Sequence, residues 1–179
     1  MEFSDLLQTR CSVRSYEKCS ITIDEVNALL EAGVRAPNAC NYQSWHFYAI
    51  ADEKIIAQFH PEIAKIPWWE NIPLVIVVCM KDAIMDKLAE RFGERGKMFV
   101  MQDAAGAINH ILLKAADMGL GGCWIGPMDV EKCKKLVGIA EGHTPAAILT
   151  IGKPAGKSVL RERLPLSDVV TVVGEIPTK

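Results

Sequence analysis

Residues 73–80 read PLVIVVCM, seven apolar residues behind a proline with no polar break. A strand with one face in water alternates apolar and polar side chains, so an unbroken run of this kind predicts a core strand covered on both faces. The rest of the chain must then supply a layer on each side of it. Upstream, WHFYAI (45–50) reads as a second strand. Asp52 to Phe59 reads as a short helix, followed by the proline-flanked loop IPWWEN with adjacent Trp68 and Trp69. Downstream, GGCWIGPM (121–128) and AAILTIG (146–152) read as extended segments and DVVTVV (168–173) as a last strand.

The helical segments fall between and around these runs. Phe3, Leu6 and Leu7 make a narrow apolar stripe over residues 2–9. Thr22 with Glu25 three positions on is a capping-box pattern, and Val26, Leu29, Leu30 and Val34 continue one face until Pro37 stops it. A charged helix is predicted over 83–97. Asp103 is then expected to cap a separate apolar helix through Ile108, Ile111, Leu112, Ala115 and Met118, ended by Gly119. Asp129 caps a further helix to Leu136 and Gly138. Strands and helices do not alternate as a doubly wound sheet requires, which predicts an α+β fold, with residues 1–179 as one domain.

The 179 residues are 50% hydrophobic and 23% charged with a formal net charge of −2, enough apolar material for a sizeable core. Basic residues are dispersed, which excludes a general nucleic-acid coat and leaves any anion site local. Glu2 and Asp5 stand where a secretory signal carries positive charge, and no apolar run reaches the roughly 18 residues of a membrane span. The expected address is the cytoplasm, with neither a membrane nor a nucleic acid as partner. The six cysteines (11, 19, 40, 79, 123 and 133) contain no C-x-x-C, so a structural metal framework is not indicated and space-filling thiols are expected.

Other familiar signatures fail. GLGGCWIG (119–126) has Trp124 where a dinucleotide fingerprint needs glycine. GKPAGKS (152–158) is one residue short of a phosphate-binding loop and carries Pro154 inside it. His46, His60, His110 and His143 show no metal-ligand spacing, and no G-x-S-x-G is present.

One constellation is left. RCSVRSYEKC (10–19) places Arg10, Ser12 and Arg14 on every second position, so an extended segment turns them to one side. Two guanidinium forks and a hydroxyl suit a phosphate, although a solvated charged turn has the same composition. Arg161 and Arg163 repeat the i, i+2 spacing in VLRERLPLSDVV and could add charge to the same site.

Taken in order, R-x-S-x-R, APNACNYQSWHF (36–47), GLGGCWIG, AILTIGKP (147–154) and RERLPL (161–166) resemble the FMN-dependent nitroreductase family over nearly the whole chain. The resemblance implies a mainly antiparallel sheet flanked by helices, and a homodimer with an FMN in each of two interface pockets. It also implies NAD(P)H, as NADH or NADPH, as co-substrate. By that resemblance Arg10 and Ser12 hold the phosphate and ribityl chain, Arg14 reaches the ribityl oxygens or the pyrimidine edge, and Arg161 and Arg163 complete the phosphate clamp. Pro37, Asn38 and Asn41, with Gln43 close by, match the segment reaching the flavin from the partner subunit. Asn38 and Ser44 depart from the family's Ser and Pro. Trp124, Ile125 and Gly126 match the strand beside the isoalloxazine. The backbone of Gly126 is the candidate donor to flavin N5, because Pro127 has no N–H. No catalytic side chain is assigned. The flavin carries the chemistry, in a ping-pong exchange that reduces nitroaromatics, quinones or related electron-poor acceptors. A storage or sensor flavoprotein without turnover and a specialised relative such as a reductive dehalogenase are the alternatives. Trp68 and Trp69 are placed either on an acceptor pocket or in the core.

Overall fold

The computed structural model describes residues 2–157 and 159–177; Ser158, at the end of the GKPAGKS run, lies outside them. Four strands, β1 (Trp45–Ile50), β2 (Leu74–Lys81), β3 (Gly121–Ile125) and β4 (His143–Gly152), form one sheet in the order β1-β2-β4-β3. All three pairings are antiparallel. β2 is therefore central, and its side chains divide by parity. Leu74, Ile76, Val78 and Met80 enter one apolar cluster with Leu29, Ile108, Ile111, Leu149 and Ile151. Val75, Val77 and Cys79 enter a second with Phe59, Cys123, Cys133 and Ile148. The unbroken apolar run has two cores to fill, which is why no position along it is polar.

The first cluster is roofed by helices α2 (Ile23–Val34), α4 (Asp82–Phe92) and α5 (Glu94–Asp117), and α1 (Phe3–Thr9) packs on α5. The second is covered by α3 (Glu53–Ala57), α6 (Val130–Val137) and the chain between α3 and β2. Sequence signals and structure agree at the caps. Thr22 Oγ1 accepts the Glu25 N–H at 3.2 Å while Glu25 Oε2 accepts the Thr22 N–H at 2.7 Å. The carboxylates of Asp52 and Asp129 accept N–H groups in the first turns of α3 and α6.

Three expectations need correction. Residues 168–173 are not a strand: Leu166–Val169 form one helical turn, α7, and 170–173 join no sheet. The predicted helix over 83–97 is split at Gly93, whose φ of 66° no L residue adopts readily. Asp103 then sits nine residues inside the 24-residue α5, 5% exposed, and caps nothing. Its two oxygens serve the loop described below. Among the described residues no helix is long and apolar enough to cross a membrane, and no three His, Cys, Asp or Glu side chains stand close enough to hold a metal ion.

Candidate functional site

The segment after α1 is fixed by main-chain bonds to the sheet. The Val13 N–H donates to the Gly122 carbonyl at 3.0 Å, beside a parallel bridge between Ser12 and Gly122. The Glu17 N–H donates to Lys153 and the Ala155 N–H to Ser15. Buried Tyr16 anchors the middle: its hydroxyl lies 2.9 Å from the Val13 carbonyl and 2.8 Å from Thr150 Oγ1. Burial pushes that hydroxyl's pKa up. Glycine at 121 is required by this contact, since a Cβ there would stand 2.3 Å from Val13 Cγ2.

Extended pairing to β3 leaves Ser12 and Arg14 exposed on one side and buries Val13 on the other. Burial raises the Cys123 thiol pKa, and the nearby Arg14 and Ser12 side chains act against that rise. A raised pKa keeps the thiol protonated, and space filling is its role.

Arg10 stands at the C-terminal end of α1 and lines a cavity of about 340 Å³. Leu112 and Ala116 of α5, the Gly119–Gly122 main chain, Pro154, Lys157 and Leu160 form its walls. Among the described residues two cations line this cavity and no carboxylate does. Ser12 and Arg14 are not among its lining residues, so the three residues of the motif do not all share this cavity. Lys157 is a residue that motif reading passed over, although it lies in the run dismissed as a phosphate-binding loop.

The loop between α2 and β1 carries Pro37, Asn38, Asn41 and Gln43. Cys40, Asn41 and Gln43 have φ of 54°, 54° and 51°, left-handed values that cost a non-glycine residue roughly 1 kcal/mol or more each. Several bonds hold the loop there. Asn38 Oδ1 accepts the Gln43 N–H at 2.8 Å, and Lys81 Nζ donates to the Gln43 carbonyl at 3.1 Å. The Ala39 N–H donates to Asp103 Oδ1 at 2.9 Å, and Ser44 Oγ to Asp103 Oδ2 at 2.7 Å. The two departures from the resembled pattern thus have local partners: Asn38 braces its own loop, and buried Ser44 reaches α5.

On β3, Cys123 and Ile125 are buried while Trp124 is 39% exposed. Gly126, just past the strand, has nothing within 4 Å of where a Cβ would stand. The space beside it is open. Trp69 belongs to the core: its Nε1–H donates to the Ile56 carbonyl at 2.7 Å and its ring stacks on Phe59 at 5.8 Å. Trp68 is partly buried against the same cluster.

Arg161 and Arg163 lie on the segment following β4. They are exposed and make no hydrogen bond or ion pair among the described residues. Large apolar side chains on this segment are equally open, among them Val159 at 79%, Leu166 at 76% and Val173 at 93%.

Comparison with known proteins agrees with this architecture. Residues 7–153 match the profile of the nitroreductase family. A Methanothermobacter thermautotrophicus protein, named for NADH dehydrogenase and NAD(P)H nitroreductase, is 28% identical over 162 residues, covering 87% of this chain and 78% of its own. The FMN reductase (NADPH) of Bacillus subtilis is 26% identical over 165 residues, covering 86% and 66% respectively. The crystal structure of a nitroreductase family protein from Streptococcus pneumoniae superposes with a TM-score of 0.85 over 95% of this chain and 99% of that one; at 16% identity it speaks to the fold alone. With a family match that spans the segment after α1, the loop before β1 and all four strands, the chain belongs to the nitroreductase family.

Proposed function

We propose that the protein is an FMN-dependent oxidoreductase that uses NAD(P)H to reduce electron-poor acceptors such as nitroaromatics or quinones. The observation that carries this reading is the cavity beside Arg10. Its cations, apolar walls and glycine main chain, with no carboxylate, fit an anionic group attached to a larger apolar body. The open surface at Gly126 fits a planar ring. The names of relatives supply the nucleotide and flavin classes, NAD(P)H nitroreductase and FMN reductase among them.

In this reading Arg10 and Lys157 neutralise and hold the phosphate, with Ser12 donating to the phosphate or ribityl oxygens. Arg14 places a fixed cation near the ring, where it stabilises negative charge that develops on reduction. Gly126 offers the last main-chain N–H before Pro127, which has none. FMN, when bound, supplies the electron transfer between nicotinamide and acceptor. The chain's own residues supply grip, orientation and charge.

The segment after β4 supports a homodimer. Many large apolar side chains on it stand exposed, and a second copy of the chain would cover them. Arg161 and Arg163 travel on the same segment, so pairing would bring them to a flavin site. The Asn38 to Gln43 loop would serve the partner's flavin.

The test is spectroscopic. Protein reconstituted with FMN should be yellow, bleach anaerobically on NADH or NADPH, and regain colour with a nitroaromatic or quinone, giving parallel lines in a double-reciprocal plot. Colour that persists under both nucleotides would support a flavin-binding protein without turnover. Protein that takes up no FMN would end the flavin reading.

A further inference from the structure

We infer that Asp103 is a positioning residue: it locks the Asn38 to Gln43 loop in its left-handed conformation and so presets the surface offered to the flavin. This rests on the proposed flavin reading of that loop. Asp103 lies inside α5, 5% exposed, on the helix face turned toward the loop rather than at a helix end. Both of its oxygens accept hydrogen bonds from loop residues: Oδ1 from the Ala39 N–H at 2.9 Å and Oδ2 from Ser44 Oγ at 2.7 Å. The two donors bracket the positions with positive φ, Cys40, Asn41 and Gln43.

A strained conformation persists only where its surroundings over-determine it. Here each end of the strained stretch is tied to a rigid 24-residue helix by one carboxylate. Charge-assisted bonds are stronger than neutral ones, and a buried carboxylate left without its donors is costly, so the two bonds form or break together. Asn38, just before the first tie, closes its side chain on the Gln43 N–H inside the stretch. Ser44 is fully buried, so its hydroxyl has no water to turn to. A loop fixed beforehand binds its ligand without the loss that a partly populated conformation imposes.

The test pairs two readouts on the full-length protein. The first is amide hydrogen exchange at Ala39 and Gln43 in FMN-free protein; the second is FMN affinity by fluorescence titration. Asp103→Ala should speed exchange at both amides and raise the FMN Kd by about tenfold to a hundredfold, the factor by which the competent loop is depleted. Ser44→Ala, which keeps one of the two ties, should show a smaller change of the same sign. Asp103→Asn keeps an acceptor for Ala39 and can pair with the Ser44 hydroxyl, so it should recover most of the affinity.

A purely structural role would lower Tm in Asp103→Ala and leave Kd unchanged, and that result overturns the inference. If Asp103→Ala does not fold, Ser44→Ala decides: wild-type exchange together with wild-type affinity in that variant also overturns it. The failures are separable. Wild-type protein that takes up no FMN removes the flavin reading itself. Wild-type protein that binds FMN while the variants bind it equally well removes only the assignment of Asp103.

Discussion

FMN should dissociate from the double variant Arg10→Glu/Arg163→Glu at concentrations where the wild-type protein stays saturated. Each guanidinium is assigned a charge-assisted phosphate contact, and such contacts contribute about 1.5–3 kcal/mol apiece. Losing both weakens binding by about two to four orders of magnitude before the added carboxylates repel the phosphate. Neither side chain makes a hydrogen bond or ion pair among the described residues, so the fold should be indifferent to the change. A Tm close to wild type with a collapsed FMN affinity is the expected pair of results from thermal melts and fluorescence titration. Unchanged flavin retention would reject the assignment of these two residues. Reversing Arg163 alone should show the same trend at smaller size, and the effect should track dimerisation, because in the proposed reading pairing brings this residue to a flavin site.

The second large effect is on stability. A Cβ on Gly96 would stand 2.1 Å from the Leu88 carbonyl oxygen and 2.4 Å from its carbon, main-chain atoms that cannot swing away. Leu88 is itself fully buried, so the corner between α4 and α5 closes only around a residue without a side chain. Gly96→Ala should therefore destabilise the protein by about 3 kcal/mol or more, the upper range of overpacking. Gly106→Ala is the internal comparison. It lies on the same helix, its Cβ would meet nothing nearer than 3.7 Å, and alanine favours a helix interior by about 1 kcal/mol. Urea denaturation should move the two variants in opposite directions, and equal behaviour would show that the corner has other ways to open.

Features carried by neighbouring residues were readable from the sequence. The Thr22 and Glu25 capping box, the Asp129 cap and the doubly buried run at 74–80 each need only a few adjacent positions to be recognised. Features that depend on distant partners were not readable in the same way. Asp103 looks like an N-cap because it precedes an apolar stretch. Its actual partners, Ala39 and Ser44, are about sixty positions away, and nothing local announces them. The valine-rich run at 168–173 looks like a strand because local composition does not say whether a sheet takes it up.

The same division runs through the site. The R-x-S-x-R spacing correctly places Ser12 and Arg14 on a common side, because extended backbone alternates. It did not separate Arg10, which ends α1 and faces a cavity of its own. Lys157 was obscured by a motif that failed, and Trp69 is core for a reason visible only in three dimensions, its stacking on Phe59. The arm carrying Arg161 and Arg163 has little to contact within one chain, which is why pairing is central to the functional reading.

A crystal structure of the protein grown with FMN tests that reading most directly. The account predicts a flavin in a cleft between two copies of the chain, its phosphate within hydrogen-bond reach of Arg10 and of Arg161 or Arg163, and its ring beside Gly126. The Asn38 to Gln43 loop of the other copy should close the cleft. Guanidiniums at 10, 14, 161 and 163 dispersed in solvent, with no flavin and no cleft between copies, would contradict it.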